Sequence, residues 1–358
     1  MPKRVVIIPG DDAAPEAMAP TVDILKSLAF DMTCIEFPSG VEGVKQYGSR
    51  AGFDQALRAA IDQSDTTLFG STNGTTGGIG YLRWGKQTFA NVRPAHWRSG
   101  FRSPLKNPEG IDFVIVRENL EDLYLGIEGD LGMLSSLPLT SGITRKPLDT
   151  TPKGKFALKV ITEEATRRIA RFACELACKR KMRGGKGIVT CTSKYNLLRS
   201  SDELFRRVVE ETVETYSDLR YEQYIVDDFA RRLVASPVQF DVVVMPNLYG
   251  DILSDVAAGT IGGLGLAPSG CYGATYAYFE SVHGSAPDIA GKNVINPTAT
   301  LLSAALMLEY LGWTDVAAQL EAAVTRVYAE GRRLTPDQAG SSSTTDFCAA
   351  VKRYVLDG

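Results

Sequence analysis

The sequence has 358 residues, with 39 lysines and arginines against 42 aspartates and glutamates and a formal net charge of −3. This length is sufficient for about two domains of roughly 150 residues each. The near balance of charge excludes a global attraction to nucleic acid or to an anionic membrane, so any anion must be bound locally.

The apolar run near the start, residues 5–8, is too short for a signal peptide, and no later run approaches the ~18 apolar residues of a membrane span. The six cysteines are scattered, and the nearest pair, Cys174 and Cys178, has no histidine nearby. We therefore expect a cytoplasmic protein without a membrane or nucleic-acid partner, whose thiols are reduced rather than bound to zinc or to one another.

Strand and helix patterns alternate in the first hundred residues. They predict strands over residues 4–9, 33–37 and 66–70 and helices over residues 15–29 and 53–62. This alternation is typical of parallel α/β layers.

The pattern changes after residue 112. Strand-like segments at residues 113–116, 123–127 and 155–160 follow one another without a long helix, which predicts an α+β insert. Next come a helix over residues 163–181, a strand over 187–190, a helix over 202–216 and a strand that leads to Asp227. From Asp251 on, we expect mostly helix.

Stretches rich in proline and glycine near residues 98–110 and 262–273 are candidate linkers. They suggest a large, discontinuous, cofactor-binding domain of residues 1–99 plus 256–358 and a smaller domain of residues 100–255. The cleft between the two domains would contain the strand ends that carry Asp227 and Asp251.

The apolar residues 242–245 predict a buried strand, and the following segment changes abruptly to a helical period. Asp251 and Asp255 are four residues apart and would share one helix face at the carboxyl end of that strand, where open α/β sheets usually bind ligands. With Asp227 they make an oxygen-only set that suits Mg²⁺ or Mn²⁺ rather than zinc. Alternatively, Asp251 is a helix N-terminal residue stabilised by the dipole and Asp255 a solvated one.

Arg83 and Arg93 flank residues 84–92, and Arg117 ends a predicted buried strand; a surface residue is the alternative for each arginine taken alone. The planar guanidinium suits bidentate binding of carboxylates, so three that converge would bind a di- or tricarboxylate. Lys194 could act as a base or acid if burial lowers its pKa, and Tyr124 could donate a proton. A surface lysine and a core tyrosine are the alternatives.

These motifs resemble, in identity and order, those of the isocitrate and isopropylmalate dehydrogenase family. They are Arg83 with residues 89–94, residues 116–119 with Tyr124, Lys194 with Asn196, residues 250–255 and residues 283–288. The resemblance spans nearly the whole chain. It implies an α/β fold of two domains with a mixed sheet through each, which is not a Rossmann fold, and a homodimer with shared active sites and a dimer-forming insert around residues 120–155.

The resemblance also implies NAD-dependent and Mg²⁺- or Mn²⁺-dependent oxidation at C2 of a 3-substituted malate, with loss of the C3 carboxylate to give a 2-oxo acid. Substrate would be bound by Arg83, Arg93, Arg117 and Asn196. Metal would be bound by Asp251 and Asp255, with Asp227 from the partner subunit. Lys194, also from the partner subunit, would act with Asp227 as the base for the hydroxyl proton, and Tyr124 would protonate the enol.

In the family, the cofactor is bound by a loop that corresponds to His283, Gly284, Ser285, Ala286, Asp288, Ile289 and Asn296. The carboxylate of Asp288 can accept a hydrogen bond from a ribose 2′-OH but repels a 2′-phosphate. Like charges ~4 Å apart repel by roughly 1 to 4 kcal/mol near a surface. We therefore expect NAD rather than NADP, and Ile289 agrees because relatives that use NADP tend to carry Lys-Tyr here.

Two segments depart from the family pattern. Residues 10–16 read GDDAAPE where the family has GDGIGPE, and the loss of two glycines should remodel the approach to the nicotinamide end of the cofactor. Residues 71–80, which would recognise the C3 substituent, are shorter and rich in glycine. Gly77 and Ile79 stand where isocitrate binders carry Ser and Asn, and the apolar helix face of isopropylmalate binders is missing.

We therefore expect a 3-substituted malate with a non-standard arm, such as phosphonomethyl or carboxyalkyl, with isocitrate or isopropylmalate as the alternative substrates. A different class of function is a non-catalytic regulatory subunit of a hetero-oligomeric isocitrate dehydrogenase. Retention of the arginines, Tyr124, Lys194 and the three aspartates argues against that class.

Overall fold

Alternating strands and helices build the chain, and the computed structural model describes residues 2–28 and 30–357. The strands are β1 (Lys3–Ile8), β2 (Met32–Glu36), β3 (Thr66–Phe69), β4 (Ala90–His96), β5 (Asp112–Glu118), β6 (Glu128–Asp130), β7 (Lys155–Ala157), β8 (Ile188–Ser193), β9 (Arg220–Ile225), β10 (Val242–Met245), β11 (Pro268–Tyr272) and β12 (Ala277–Ser281). The helices are α1 (Ala14–Ser27), α2 (Gly40–Gln46), α3 (Arg50–Asp62), α4 (Glu163–Met182), α5 (Ser201–Val213), α6 (Val226–Ala235), α7 (Asn247–Ile261), α8 (Thr298–Tyr310), α9 (Thr314–Glu330) and α10 (Thr344–Leu356).

Ten of the strands form one mixed sheet in the order β2-β1-β3-β12-β11-β4-β5-β10-β8-β9. The two outer blocks are parallel, and the pairs from β12 to β5 are antiparallel. The mixed α/β class is confirmed, and the two predicted domains share this continuous sheet. Residues 1–99 and 256–358 contribute six of its ten strands, and residues 100–255 contribute the other four. The domain division stays a prediction, and its boundary at residue 255 falls inside α7.

Buried apolar side chains explain how the helices cover both faces of the sheet. In β1, Val5 and Ile7 pack into the cluster that contains α1, whereas Val6 and Ile8 pack into the cluster that contains α3. All four residues of β10 are buried, as expected for a central parallel strand covered on both faces. The sheet therefore holds the ends of β4, β5 and β10 as a rigid platform.

Several predicted elements were wrong. Residues 123–127 form no strand, because Asp122 and Gly126 both adopt left-handed conformations with φ of 68° around the 3₁₀ turn Asp122–Leu125. Only β6 and β7 make a separate insert sheet, whereas β5 belongs to the main sheet. The mostly helical last third also contains β11 and β12, which begin at Pro268 and Ala277. In β11, the proline, serine and glycine at residues 268–270 carry little β-propensity.

All six cysteines are unpaired in the structure, and the reduced state of their thiols stays a prediction. Within the described ranges, none of the helices has both the length and the apolar character required to cross a bilayer.

Candidate active site

The candidate site lies where β4 and β5 meet the start of α7. Asn247 begins α7 directly after the buried strand β10, and it is fully buried. Its side-chain Oδ1 accepts hydrogen bonds from Arg117 Nε at 2.9 Å and from Arg83 Nη2 at 3.2 Å, and its Nδ2 donates to the carbonyl of Glu121 at 3.1 Å. Asn247 thus orients two of the three predicted arginines. The sequence analysis did not single it out, although its place as first residue of the helix was the available signal.

The third arginine joins the other two through the aspartates of α7. Arg93 on β4 donates to Ser254 Oγ at 2.7 Å and to Asp255 at 3.3 Å, and its Nη1 lies 3.5 Å from Asp251. Arg117 forms an ion pair with Asp251. The structure therefore brings the three arginines together with the two carboxylates of one helix face.

Burial dominates the electrostatics of this cluster. Arg117 is 3% exposed, and burial, together with the nearby charge of Arg93, lowers its pKa to about 10, so it stays charged at neutral pH. Burial tends to raise the pKa of Asp251, but Arg117, Tyr124 and Arg93 outweigh burial and lower it. For Asp255, burial raises the pKa despite Arg93, and the charge of Asp251 adds to the increase.

Tyr124 completes the cluster. Its hydroxyl donates to Asp251 Oδ2, and its ring lies beneath two guanidinium groups, with centroid distances of 5.0 Å to Arg83 and 4.9 Å to Arg117. Burial and the hydrogen bond to Asp251 raise the pKa of Tyr124. The phenol is therefore protonated at neutral pH and can act as a proton donor.

Lys194 and Asp227 form a second group. Lys194 follows β8, Asp227 lies in the first turn of α6, and the two side chains form an ion pair. The hydrogen bond from Lys194 lowers the pKa of Asp227, whose side chain is 59% exposed. Asn196 is exposed on the loop after β8. The chain thus keeps this predicted base apart from Asp251 and Asp255.

The donor set fits a divalent cation that prefers oxygen. Asp251 and Asp255 present carboxylates on one helix face, and burial raises the pKa of Asp255, a cost to its charged form that a bound cation would offset. Across residues 2–28 and 30–357, no group of three or more Asp, Glu, His or Cys side chains is arranged so that it could bind a metal ion. One chain therefore offers two of the three predicted ligands in one place and Asp227 in another.

The predicted cofactor loop packs against the N-terminal loop. Ser71 Oγ donates to the carbonyl of His283 at 2.7 Å, and burial lowers the pKa of the His283 imidazole, which is therefore neutral at pH 7. Ser285 Oγ donates to Asp12 Oδ2 at 2.5 Å. Gly284 is exposed, and Ala286 adopts a left-handed conformation with φ of 53°.

The remaining cofactor-loop residues differ in exposure. The carboxylate of Asp288 lies on an exposed residue, whereas Ile289 packs against Ala13, Ala17 and Ile295. Asn296, by contrast, is buried. Its amide donates to Tyr328 and Asp337 and accepts from Thr298 at distances of 3.1, 2.9 and 3.0 Å. The Asn296 side chain is thus engaged in holding the start of α8.

The altered N-terminal loop is held by its two aspartates. Asp12 has φ of 53°, a conformation that favours glycine, and its carboxylate also accepts from Asn73 Nδ2 at 3.0 Å. The buried Asp11 accepts from Thr76 Oγ1 at 2.6 Å and from the amides of Asn73 and Thr76, each at 3.1 Å. The backbone therefore keeps its left-handed turn without glycine, and the side chain of Asp12 joins the loop of residues 71–80 to Ser285.

The loop of residues 71–80 places no polar side chain at its two diagnostic positions. A Cβ at Gly77, whose φ is 77°, would lie 2.2 Å from Arg50 Nη2. Ile79 packs against the core cluster that contains Ile8 and Leu57.

A large cavity lies on the opposite face of the sheet. It measures about 960 Å³ and lies between α4 and α8. Along β4, Val92, Pro94 and His96 face the cavity, whereas the intervening Arg93 faces α7. None of the predicted site residues is among the described residues that line it, so chemistry rather than cavity size identifies the site.

Comparisons with known proteins give consistent results. Residues 4–351 match the family described as isocitrate/isopropylmalate dehydrogenase. The chain is 41% identical over 355 residues to a 3-isopropylmalate/3-methylmalate dehydrogenase of Methanocaldococcus jannaschii, covering 99% of each chain. It is 37% identical to the alpha subunit of the mitochondrial NAD isocitrate dehydrogenase of Bos taurus, covering 99% of this chain and 91% of the relative. The crystal structure of isocitrate dehydrogenase from Methylococcus capsulatus is similar, with a TM-score of 0.81, 33% identity and 99% coverage of both chains.

The site also contains a buried carboxyl group that predicts a pH dependence of stability. Glu118 is buried beside Arg117, and its carboxylate accepts from the amides of Leu120 and Glu121 at 2.9 and 2.7 Å. Burial raises its pKa from the ordinary value of 4.5 to about 7. Between these values the folded state binds more protons than the unfolded state, so the free energy of unfolding falls as the pH rises, by on the order of 3 kcal/mol.

Glu118→Gln should remove this decline. In urea titrations at pH values from about 4 to about 8, a range that brackets the two pKa values, the variant should gain stability relative to wild type as the pH rises. Glu109→Gln at an exposed position is the control. Parallel pH profiles for wild type and Glu118→Gln would contradict the buried-carboxyl interpretation.

Proposed function

Because the chain belongs to the isocitrate/isopropylmalate dehydrogenase family, we propose that it catalyses the NAD-dependent oxidative decarboxylation of a 3-substituted malate. The observation that carries this proposal is the convergence of three arginines and Tyr124 on the aspartates of α7. A regulatory subunit without activity would not need a protonated tyrosine, Tyr124, hydrogen-bonded to Asp251, a predicted metal ligand.

The arginines bind the carboxylates of the malate core in this proposal. Arg83 and Arg117 are both oriented by Asn247, and Arg93 by Ser254. A charged group that is already desolvated and oriented loses little further freedom on binding an anion, because its orientation is fixed beforehand. These side chains therefore set the reaction class rather than the identity of the C3 arm.

Three residues carry the proton steps in this proposal. Lys194 and Asp227 of a second copy of the chain accept the proton of the C2 hydroxyl, and the protonated Tyr124 delivers a proton to C3 after the carboxylate leaves. Asp251 and Asp255 hold Mg²⁺ or Mn²⁺ with that second Asp227. When bound, the cation supplies Lewis-acid stabilisation of the developing oxyanion, and the nicotinamide supplies the hydride acceptor.

A homodimer with shared sites is part of the proposal, because apolar side chains remain exposed around the site. On α7, Ile252 and Val256 are 55% and 38% exposed beside the two aspartates. In the insert, Met133 and Ile143 are 67% and 73% exposed. Exposed apolar side chains on one helix face, such as Ile252 and Val256, are typical of an interaction site, and a second copy would bring its Lys194 with it. The six free thiols suit a cytoplasmic location.

NAD is the proposed cofactor, with His283, Gly284, Ser285, Ala286, Asp288, Ile289 and Asn296 forming its loop. Asp288 supports the choice because its exposed carboxylate would repel a 2′-phosphate.

The substrate arm is proposed to be non-standard, such as phosphonomethyl or carboxyalkyl. The support lies in the loop of residues 71–80, where Gly77 has no side chain and Ile79 packs into the core. Trp84 is exposed beside Arg83, with its ring centroid 5.0 Å from the guanidinium. The arm would therefore meet an aromatic side chain and a short polar loop.

Activity across a substrate panel tests the reaction class. The purified chain with Mn²⁺ should reduce NAD with at least one of 3-isopropylmalate, 3-methylmalate, isocitrate, a longer 3-carboxyalkyl malate and 3-phosphonomethylmalate. EDTA should abolish NADH formation because the oxyanion then lacks its Lewis acid. Asp255→Asn should lower kcat/KM by roughly 100-fold or more, whereas Asp315→Asn on the exposed start of α9 should not.

The same panel tests the identity of the substrate arm and the choice between a catalytic and a regulatory function. Turnover of isocitrate or 3-isopropylmalate that equals or exceeds every other substrate would refute the non-standard arm. Silence with all five substrates would favour the regulatory subunit and contradict the catalytic proposal.

Cofactor choice has its own test. The double substitution Asp288→Lys and Ile289→Tyr should change the ratio of kcat/KM for NADP to that for NAD by roughly 10- to 1000-fold in favour of NADP, because repulsion of the 2′-phosphate becomes attraction. Asp315→Lys is the charge-matched control. An unchanged ratio would remove Asp288 as the determinant.

A further inference from the structure

A buried cluster without an assigned role lies behind the site, and we call it the Lys159 cluster. Its members are Lys159, Asp122, Asp202 and Tyr249. Lys159 Nζ lies 2.6 Å from Asp202 Oδ1, 3.5 Å from Asp122 Oδ1 and 4.4 Å from the ring centroid of Tyr249. Both aspartates are fully buried, and the lysine side chain is 16% exposed. One ammonium group therefore holds two carboxylates that have no access to water.

The first carboxylate fixes the segment of the proposed proton donor. Asp122 lies two residues before Tyr124, and its φ of 68° is a left-handed conformation. A residue other than glycine keeps this conformation only when the surrounding structure holds it in place. Its Oδ2 accepts from the amide of Leu248 at 2.9 Å, in the first turn of α7, and its own amide donates to Val160 at 2.9 Å. Asp122 thus ties the Tyr124 turn to the helix that carries Asp251.

The second carboxylate fixes the segment of the proposed base. Asp202, on α5, accepts from the backbone amide of Lys194 at 2.7 Å through Oδ2, and its carbonyl accepts from Ser193 Oγ at 3.2 Å. Its other oxygen faces Lys159. The ammonium group of Lys159 is therefore connected to the backbone of Lys194 through the side chain of Asp202. Through the side chain of Asp122, it is also connected to the turn that carries Tyr124.

We propose that Lys159 is a positioning residue that couples two active sites. On one side it orders Tyr124 and α7, which serve the site that the chain builds from its own arginines. On the other it orders Lys194, which the chain lends to the second copy. This inference rests on the proposed shared dimer, because only then do the two ordered segments serve different active sites.

The alternative is a purely structural ion cluster. A structural cluster would contribute to stability, but the carboxylates in this one hydrogen-bond to backbone amides of catalytic segments rather than to remote elements. Loss of the ammonium leaves two buried carboxylates facing each other, so both segments should shift together. Displacement of about 1 Å at a reacting group can reduce the rate by roughly 100-fold.

Mixed dimers separate the two sides. Two differently tagged copies are co-expressed, and dimers of wild type with Lys159→Met are isolated by both tags. If Lys159 orders both segments, each active site of the mixed dimer contains one disordered segment. The kcat of the mixed dimer should therefore fall to within a few-fold of the kcat of the Lys159→Met homodimer. Lys159→Arg should restore much of the rate because it keeps the charge. Lys352→Met, which removes a surface ion pair with Asp23, is the control.

Half of the wild-type activity in the mixed dimer would overturn the coupling, since it would mean that Lys159 serves one site. The assay uses the substrate of the panel with the highest turnover, and KM for NAD should change less than kcat because the loop of residues 283–296 lies outside the cluster. Absence of turnover by the wild type would instead defeat the proposed function.

Hydrogen–deuterium exchange gives a readout that does not need activity and that reports even if Lys159→Met is less stable. Peptides of residues 120–126 and 193–203 should both exchange faster in Lys159→Met, and both should return toward wild type in Lys159→Arg. Peptides of residues 283–296 should not change. Faster exchange in one segment alone, or equally throughout the chain, would overturn the proposal.

Discussion

The ion pair of Arg117 with Asp251 is the interaction on which the site depends. Arg117 is buried, and a buried guanidinium is tolerated only when a charged or strongly polar partner compensates for lost hydration. Asp251 and Asn247 supply that compensation from successive turns of α7. Gly250 lets the helix approach, because a Cβ there would lie 2.5 Å from Arg117 Cγ. The helix therefore lies directly on the arginine, and Arg93, Arg83 and Tyr124 assemble around the same contact.

Much of the fold could be predicted from sequence because its signals are local. The apolar run of β10 and the four-residue spacing of Asp251 and Asp255 both depend on short stretches of chain, and both are present in the structure. The 3₁₀ turn at Tyr124 and the strands β11 and β12 escaped prediction because partners distant in sequence stabilise them. Asp122, for example, holds its left-handed conformation through Leu248 and Lys159.

The two departures from the family pattern have different physical consequences. In the N-terminal loop, Asp12 stands at a glycine position and accepts hydrogen bonds from Ser285 and Asn73, so it links the predicted cofactor loop to the loop of residues 71–80. In the latter loop, Gly77 and Ile79 remove side chains from the place where the substrate arm would be read. The left-handed turn at residue 12 is thus held by side-chain contacts, whereas Gly77 and Ile79 offer no polar side chain at their two positions. Both consequences depend on contacts between segments distant in sequence. The sequence alone therefore could not show that the two altered loops differ in this way.

The central claim is that two copies of the chain share each active site, with Tyr124 from one and Lys194 from the other. Complementation tests it most directly, by combining a Tyr124→Phe chain with a Lys194→Met chain in tagged mixed dimers. Each homodimer should be nearly inactive, whereas a mixed dimer contains one intact site and should recover about half of the wild-type rate. Mixed dimers as inactive as both homodimers would contradict the claim, because Tyr124 and Lys194 would then have to act within one chain.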